Sequence, residues 1–247
     1  MPRPARTRSE GDMYHVIARG VNQSLIFEDD SDRKRFLDFL VKSFDENGVT
    51  LYCWCLMGNH FHLLVRAAME KLSPAMGTLL SSYAVYFNTR HGRTGYLFQD
   101  RFRSEAINSD EYLMAVVRYI HWNPVKAGLA PTCRYRWSSY DEYLGRAGIC
   151  DVDWMLGVFG GVDDFVGFHD IEPTEACLDM PVARRRMGDT EAIALVEGEY
   201  GAGTLGRIAG MAVDERNSIL RWMKEEGVSI RQAQRLTGVG KRIVERA

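Results

Sequence analysis

Residues 49–66, with the sequence VTLYCWCLMGNHFHLLVR, decide the fold of this 247-residue chain. Apolar, aromatic and β-branched residues dominate residues 49–57 and 60–66, which predicts two strands. Gly58 and Asn59 between them are typical of a tight hairpin turn. The stretch therefore predicts an antiparallel pair of strands.

The sequence around this hairpin predicts further strands and helices. They are a strand over residues 13–19 (MYHVIAR), a helix from the N-cap Ser31 to Asn47, a helix over residues 73–89, a short strand over residues 103–107 and a helix after the cap residue Ser109. The last helix is expected to end near Asn123, because Pro124 disfavours a helical residue before it. This order predicts an α+β fold, in which helices cover a small antiparallel sheet.

The composition excludes a disordered chain and a membrane protein. Hydrophobic residues make up 46% of the sequence, and no run approaches the roughly 18 apolar residues of a membrane span. The basic N-terminus leads into no apolar signal core. Five cysteines, an odd number without metal-finger spacing, suit a reducing compartment. These features predict a cytoplasmic location.

The formal net charge of −2 conceals an uneven distribution. A near-neutral total argues against a nucleic-acid partner only if the charge is evenly spread. Residues 1–147 carry a net charge of +3, residues 148–204 carry −9 and residues 205–247 carry +4. The chain is therefore interpreted as a domain over 1–147, an acidic and mostly helical connector over 148–204, and a basic tail over 205–247.

His60 and His62 are the first candidate metal ligands. Alternate residues of a strand point to one face, so both imidazoles project together while Phe61 points the other way. Two imidazoles on one face can hold a metal ion, which then needs a third ligand. An ordinary pair of sheet histidines is the alternative interpretation.

Tyr119 and Asn123 are the second pair of candidates. They stand four residues apart in the last predicted helix and so share one face. Asn123 can complete a metal site while Tyr119 presents its phenol to the same place. A phenol is a weak nucleophile near neutral pH, and a metal-polarised phosphodiester would offset that weakness. The alternative for Tyr119 is a core residue, and His121 between the two points elsewhere.

Two basic segments are candidates for contact with DNA. Arginines interleaved with aromatic rings suit single-stranded nucleic acid, although a solvated loop is an alternative for residues 90–103. The tail has the length and turn glycine of a helix-turn-helix, although a generic basic helical hairpin has them too. The candidate residues are Arg90, Arg93, Phe98, Arg101 and Arg103 in the loop, and Arg231, Lys241 and Arg242 in the tail.

Together these motifs resemble the REP-associated tyrosine transposases, a branch of the HUH single-strand transposases. The resemblance covers residues 1–147, and the order and spacing of its motifs make it specific. The motifs are YHVIARG at 14–20, IF at 26–27, CLMGNHFHLLV at 55–65, YLFQDRF at 96–102, YIHWNPVKAG at 119–128 and WSSY at 137–140.

The resemblance implies a ferredoxin-like HUH nuclease domain that uses a divalent ion, Mg²⁺ or Mn²⁺. It implies that His60, His62 and Asn123 bind this ion. It also implies that Tyr119 attacks single-stranded DNA at hairpin-forming repeats, leaving a 5′-phosphotyrosine link that a second strand end can reverse. The expected partner is such hairpin DNA at the nucleoid, and the sequence leaves monomer and homodimer both open.

Two residues depart from the family pattern. Gly58 stands where proline is usual before Asn-His, and Asp100 stands where glycine is common, which places a negative charge in a candidate DNA groove. Asp100 favours one alternative function, a catalytically silent DNA-binding regulator on the same scaffold. A third hypothesis, an HxH hydrolase of small molecules, leaves the arginine-rich loop unexplained.

Overall fold

The computed structural model describes residues 7–131, 133–174, 177–179 and 188–247. The chain divides into two compact units, Met1–Met180 and Pro181–Ala247. This division splits the expected connector 148–204 between the two units. In the described ranges, no helix combines the length and the apolar character needed to cross a bilayer.

A four-stranded antiparallel sheet forms the centre of the first unit. Its strands are β1 (Met13–Arg19), β2 (Thr50–Leu56), β3 (His60–Arg66) and β4 (Arg103–Ala106), in the spatial order β2-β3-β1-β4. Helices α1 (Asp30–Asn47) and α2 (Met69–Arg90) connect β1 to β2 and β3 to β4. This β-α-β-β-α-β arrangement is ferredoxin-like, so the expected α+β fold is confirmed for this unit.

The hairpin of β2 and β3 has the predicted turn, in which the Met57 amide donates to the His60 carbonyl over 2.9 Å. Residues alternate between two cores along β3. Phe61, Leu63 and Val65 pack with α1 and α2, whereas Leu64 packs on the opposite face. His60 and His62 lie four and two residues before Leu64 in the strand and therefore point to that same opposite face.

The start of α1 differs from the sequence expectation. Asp29 rather than Ser31 is the N-cap, because its carboxylate accepts from the amides of Ser31 and Asp32 at 2.8 and 3.0 Å. Capping by Asp29 satisfies two of the amides that have no partner inside the helix. Helix α2 also begins earlier than expected, at Met69, and accommodates Pro74 in its first turns.

Helix α3 (Asp110–Lys126) covers the sheet face that carries the histidines. Its N-cap is Ser109 as predicted, with the hydroxyl accepting from the Tyr112 amide over 3.2 Å. The expected end at Asn123 is wrong. The Ala127 amide still bonds to the Asn123 carbonyl at 3.0 Å, so Pro124 removes one donor without ending the helix.

The segment after α3 packs on the same face of the sheet. It contains the short helices α4 (Tyr140–Tyr143), α5 (Val152–Phe159) and α6 (Val162–His169). Its buried Glu142 carboxylate accepts from the Trp54 indole at 2.8 Å and from the amides of Ile149 and Cys150 at 2.9 and 2.8 Å. Glu142 thereby ties this segment to β2.

The second unit is helical and has its own apolar core. Its helices are α7 (Asp189–Tyr200), α8 (Thr204–Arg207), α9 (Val213–Glu225), α10 (Ile230–Thr237) and α11 (Lys241–Arg246). Gly238 ends α10 with a φ of 71°, a backbone conformation that favours glycine. The helices α10 and α11 are thus joined by the three-residue turn Gly238–Gly240.

Candidate active site

The imidazoles of His60 and His62 lie together on the face of the sheet that α3 covers. Their ring centroids are 5.0 Å apart. His62 is fully buried, whereas His60 at the start of β3 is partly exposed. The strand geometry therefore gives the expected pair, with one edge open to a ligand.

The ring nitrogens of this pair fit a metal ion. Asn59 Oδ1 lies 2.7 Å from His60 Nδ1, and His15 Nε2 lies 3.0 Å from His62 Nδ1. Each ring is thus held through Nδ1, which leaves Nε2 for another partner. Among the described residues, the buried His62 Nε2 has no hydrogen-bond partner, an arrangement that is costly unless a ligand fills it.

Both imidazoles are neutral near pH 7. Burial, with a contribution from the charge of Arg19, lowers the pKa of His60 to about 4. Burial also lowers the pKa of His62 well below its usual value, and the neighbouring His60 and His15 lower it further. A neutral imidazole keeps the lone pair that a metal ion requires.

Helix α3 brings Tyr119 to the histidines of the same chain. The Tyr119 ring centroid lies 5.7 Å from that of His62 and 6.0 Å from that of His15. Asn123, one turn later, donates from its side-chain amide to the Tyr119 carbonyl over 2.9 Å. That bond leaves the amide oxygen of Asn123 as an acceptor and a candidate ligand.

The donor set is unusual for a metal site. Within the described part of the chain, no three His, Cys, Asp or Glu side chains form a group that could hold a metal ion. Asn123, the third ligand expected from the sequence, is an amide and does not belong to those residue types. An amide oxygen is a hard ligand of the kind that Mg²⁺ and Mn²⁺ accept.

Cationic and anionic groups both meet the Tyr119 phenol. The Lys126 ammonium lies 4.7 Å from the ring centroid. Burial, the charge of Asp179 and a hydrogen bond to its carboxylate raise the pKa of Tyr119, and the Asn123 amide opposes this shift. In this conformation the phenol is protonated at pH 7 and requires activation before it can attack.

Asp179 reaches the site from a segment beyond the nuclease-like sheet. The Leu178 amide donates to Glu105 Oε2 at 3.0 Å, and Arg103 Nη1 donates to the Asp179 carbonyl at 3.4 Å. Residues 177–179 thus lie beside β4 and the tyrosine. Sequence reasoning placed Asp179 in an acidic connector, and no local signal linked it to Tyr119, 60 residues earlier.

Sequence reasoning also missed His15 and Arg19, which lie on β1 beside β3. His15 shares a sheet face with His62, and Arg19 pairs with His60 in the strand register. A third histidine at an alternating position of a neighbouring strand was the available signal. The strand register, which sequence alone did not give, was needed to use it.

His121 lies outside the site, as expected from its position in α3. Its Nδ1 is 3.0 Å from His169 Nε2, and its Nε2 is 2.9 Å from Ser139 Oγ. These partners form a second buried network between α3, α6 and the start of α4.

The candidate DNA-contact residues occupy varied environments. Arg90 bonds the carboxylates of Asp29 and Asp32, and the Arg93 guanidinium lies 5.5 Å from the centroid of the Phe87 ring. Phe98 packs partly on the core, whereas Arg101 and Arg103 are exposed. In the second unit, Arg231, Lys241 and Arg242 are exposed, and Lys241 pairs with Glu245 at 3.3 Å.

Residues 9–123 match the family model described as IS200-like transposase. Two solved structures are similar to the chain. One is a REP-associated tyrosine transposase bound to a REP hairpin, with 17% identity, a TM-score of 0.48, and coverage of 72% of this chain and all of that one. The other is a putative transposase from Deinococcus radiodurans R1, with 17% identity, a TM-score of 0.35, and coverage of 48% of this chain and 95% of that one.

Both TM-scores are below 0.5, so the assignment depends on the family model. No curated protein sequence matches significantly. The matched residues contain the whole sheet, the histidine pair and the tyrosine. Residues 9–123, a little under half of the chain, thus match the IS200-like transposase family.

Proposed function

We propose that this transposase is a metal-dependent enzyme that nicks and rejoins single-stranded DNA at hairpin-forming repeats through a 5′-phosphotyrosine intermediate. One observation carries the proposal. The Tyr119 ring lies 5.7 Å from that of His62, whose buried Nε2 has no hydrogen-bond partner among the described residues. A tyrosine beside a histidine Nε2 that can bind a metal ion is an arrangement suited to phosphodiester cleavage.

The metal ligands and the tyrosine have separate roles in this reaction. His60, His62 and Asn123 would hold Mg²⁺ or Mn²⁺, and the bound ion would supply positive charge to the scissile phosphate. Tyr119 Oη gives its proton to water and forms a bond to phosphorus. The bond from phosphorus to the 3′ oxygen breaks, and that oxygen takes up a proton to leave as a 3′-OH. The protein is left joined to the 5′ end.

One cation near the tyrosine and one near the histidines support a phosphate ligand. Lys126 lies over the Tyr119 ring, and the charge of Arg19 acts on both candidate histidine ligands. A phosphodiester placed at Tyr119 would meet the positive charge of Lys126, which favours an anionic transition state, while the Asp179 carboxylate acts in the opposite direction.

We also propose a role in DNA binding for the second unit. Helices α10 and α11 and their glycine-containing turn have the outline of a helix-turn-helix, with Arg231, Lys241 and Arg242 exposed. This unit would anchor the enzyme on DNA at the nucleoid, and the loop residues Arg93, Arg101 and Arg103 would contact the single strand.

The test uses the full chain, Mn²⁺ and end-labelled single-stranded hairpins taken from the genome that encodes it. We expect the wild type to form a covalent adduct on denaturing gels. The variant Tyr119→Phe is expected to bind the hairpin but form no adduct, while His60→Ala loses cleavage. Tyr86→Phe is the control, because Tyr86 lies on α2 and packs on the other face of the sheet, and this variant is expected to keep the adduct.

Each other outcome has a defined meaning. An undiminished adduct in Tyr119→Phe refutes the assignment of the nucleophile, and full cleavage by His60→Ala refutes the metal site. Tight hairpin binding by a wild type that never forms an adduct supports the silent regulator instead. That alternative has one structural observation in its favour, the Asp179 carboxylate on Tyr119.

A further inference from the structure

His15 is a buried imidazole that the proposed reaction does not use. It lies on β1, is fully buried and stacks on His62, with ring centroids 5.2 Å apart and an interplanar angle of 24°. Its Nε2 is 3.0 Å from His62 Nδ1. A buried histidine against a candidate metal ligand calls for a physical account.

The single hydrogen bond between these rings contains one proton, which leaves two arrangements. If His62 donates from Nδ1, its Nε2 keeps a lone pair for a cation. If His15 donates instead, a neutral His62 carries its proton on Nε2. That nitrogen would then not bind a metal. Neither His62 Nε2 nor His15 Nδ1 has a hydrogen-bond partner among the described residues, so each arrangement leaves one buried N–H without an acceptor, and this cost does not separate them.

Glu105 favours the first arrangement. Its Oε2 lies 3.9 Å from His15 Nδ1, too far for a hydrogen bond but close enough for the carboxylate charge to favour a proton there. The same oxygen accepts from the Tyr112 hydroxyl at 2.8 Å and the Leu178 amide at 3.0 Å, which fix its position. With its proton on Nδ1, a neutral His15 can only accept at Nε2.

We infer that His15 is a positioning residue, which sets the tautomer and orientation of His62 so that His62 Nε2 faces the metal. The inference rests on the proposed function, since it assigns a task toward the ion of that site. A metal-binding histidine commonly donates its second ring N–H to such a partner, and removing the partner typically weakens metal binding about 10–100-fold.

The test asks whether residue 15 acts by accepting a hydrogen bond from His62 or only by filling space. In His15→Gln the amide oxygen still accepts from His62, whereas His15→Leu fills the space without an acceptor. The control is His121→Leu, which removes a buried histidine from the other network. Mn²⁺ binding is measured by calorimetry on the full chain, and the His62 tautomer is read from imidazole ¹⁵N chemical shifts without metal.

We expect His15→Leu to bind Mn²⁺ about 10–100-fold more weakly than the wild type and to lose the Nδ1–H tautomer of His62. His15→Gln should stay within about threefold and keep the tautomer. His121→Leu should leave the affinity of the folded protein unchanged. If His15→Leu does not fold, His15→Asn replaces it, because its shorter amide withdraws the acceptor.

Wild-type affinity in His15→Leu or His15→Asn, or an Nε2–H tautomer of His62 in the wild type, would overturn the inference alone. A wild type that binds no Mn²⁺ would overturn the inference together with the proposed metal site. A wild type that binds Mn²⁺ but forms no phosphotyrosine adduct would overturn the proposed reaction and leave the role of His15 standing.

Discussion

Under the proposed function, Asp179 should weaken the binding of single-stranded DNA to the first unit. Its carboxylate bonds the Tyr119 phenol, while Arg103 and Glu105 hold its segment against β4. A scissile phosphate must approach that phenol. The carboxylate and the incoming phosphate carry the same charge, so Asp179 opposes the complex that the reaction needs.

The magnitude can be worked out from ordinary contact distances. A hydrogen bond of about 3 Å and an attack distance of about 3 Å place the carboxylate within about 6 Å of the phosphorus. Two unit charges at about 6 Å repel by about 3 kcal/mol at an effective dielectric constant near 20. Asp179 is exposed, so salt and solvent reduce this to roughly half, which is about tenfold in Kd.

Asp179→Asn is therefore expected to bind a labelled single-stranded hairpin about tenfold more tightly than the wild type, measured by fluorescence anisotropy near physiological salt. Asp179→Glu keeps the charge and should stay close to the wild type. The control is Asp163→Asn, which removes an exposed charge from α6 in the same acidic segment and should change Kd by less than about twofold.

Unchanged affinity in Asp179→Asn would refute the argument from charge. An equal gain in Asp163→Asn would also refute it, because the gain would then reflect net charge rather than the position of the carboxylate. If Asp179→Asn bound the hairpin more weakly than the wild type, Asp179 would help to bind DNA, for example through a metal ion.

Two further predictions concern stability. Gly148→Ala should lower the free energy of unfolding by about 3 kcal/mol in urea titrations, because the new Cβ would lie 1.9 Å from the Glu142 carboxyl carbon and displace that buried carboxylate from its three hydrogen-bond donors. The control is Gly167→Ala, which has open space at its Cβ and should be neutral or slightly stabilising. Equal effects of the two substitutions would refute this account. His169, whose pKa burial lowers to about 4, should cost about 2 kcal/mol of stability between pH 7 and pH 5, because the unfolded imidazole takes up a proton below about 6.5 and the folded one does so only near 4. His169→Gln should reduce this loss, and an unchanged pH profile would contradict the assignment.

Much of the first unit was predictable because its signals are local. Alternation along residues 60–66 places His60 and His62 on one face, and the spacing of Tyr119 and Asn123 places both on one side of α3. The cap residue Ser109 of α3 was predicted correctly, whereas Ser31 was predicted for α1 and Asp29 is the observed cap. Propensity alone did not choose between neighbours.

The remainder of the site depends on contacts between distant residues. His15 meets His62 through strand register, and Asp179 meets Tyr119 through the path of a chain that leaves the sheet after α3. Arg90, which is predicted to contact DNA, forms ion pairs with Asp29, the N-cap of α1, and with Asp32 inside that helix. Net charge along the sequence did not reveal which cations already have an anionic partner.

The placement of Tyr119 beside the histidines of its own chain has a stoichiometric consequence. One polypeptide contains both the proposed nucleophile and the proposed ligand pair, so cleavage per molecule should not fall on dilution. One polypeptide also contains a single such tyrosine, and can retain only one severed 5′ end at a time. Joining two different ends therefore requires either successive turnovers by one copy or two copies brought together by the DNA itself.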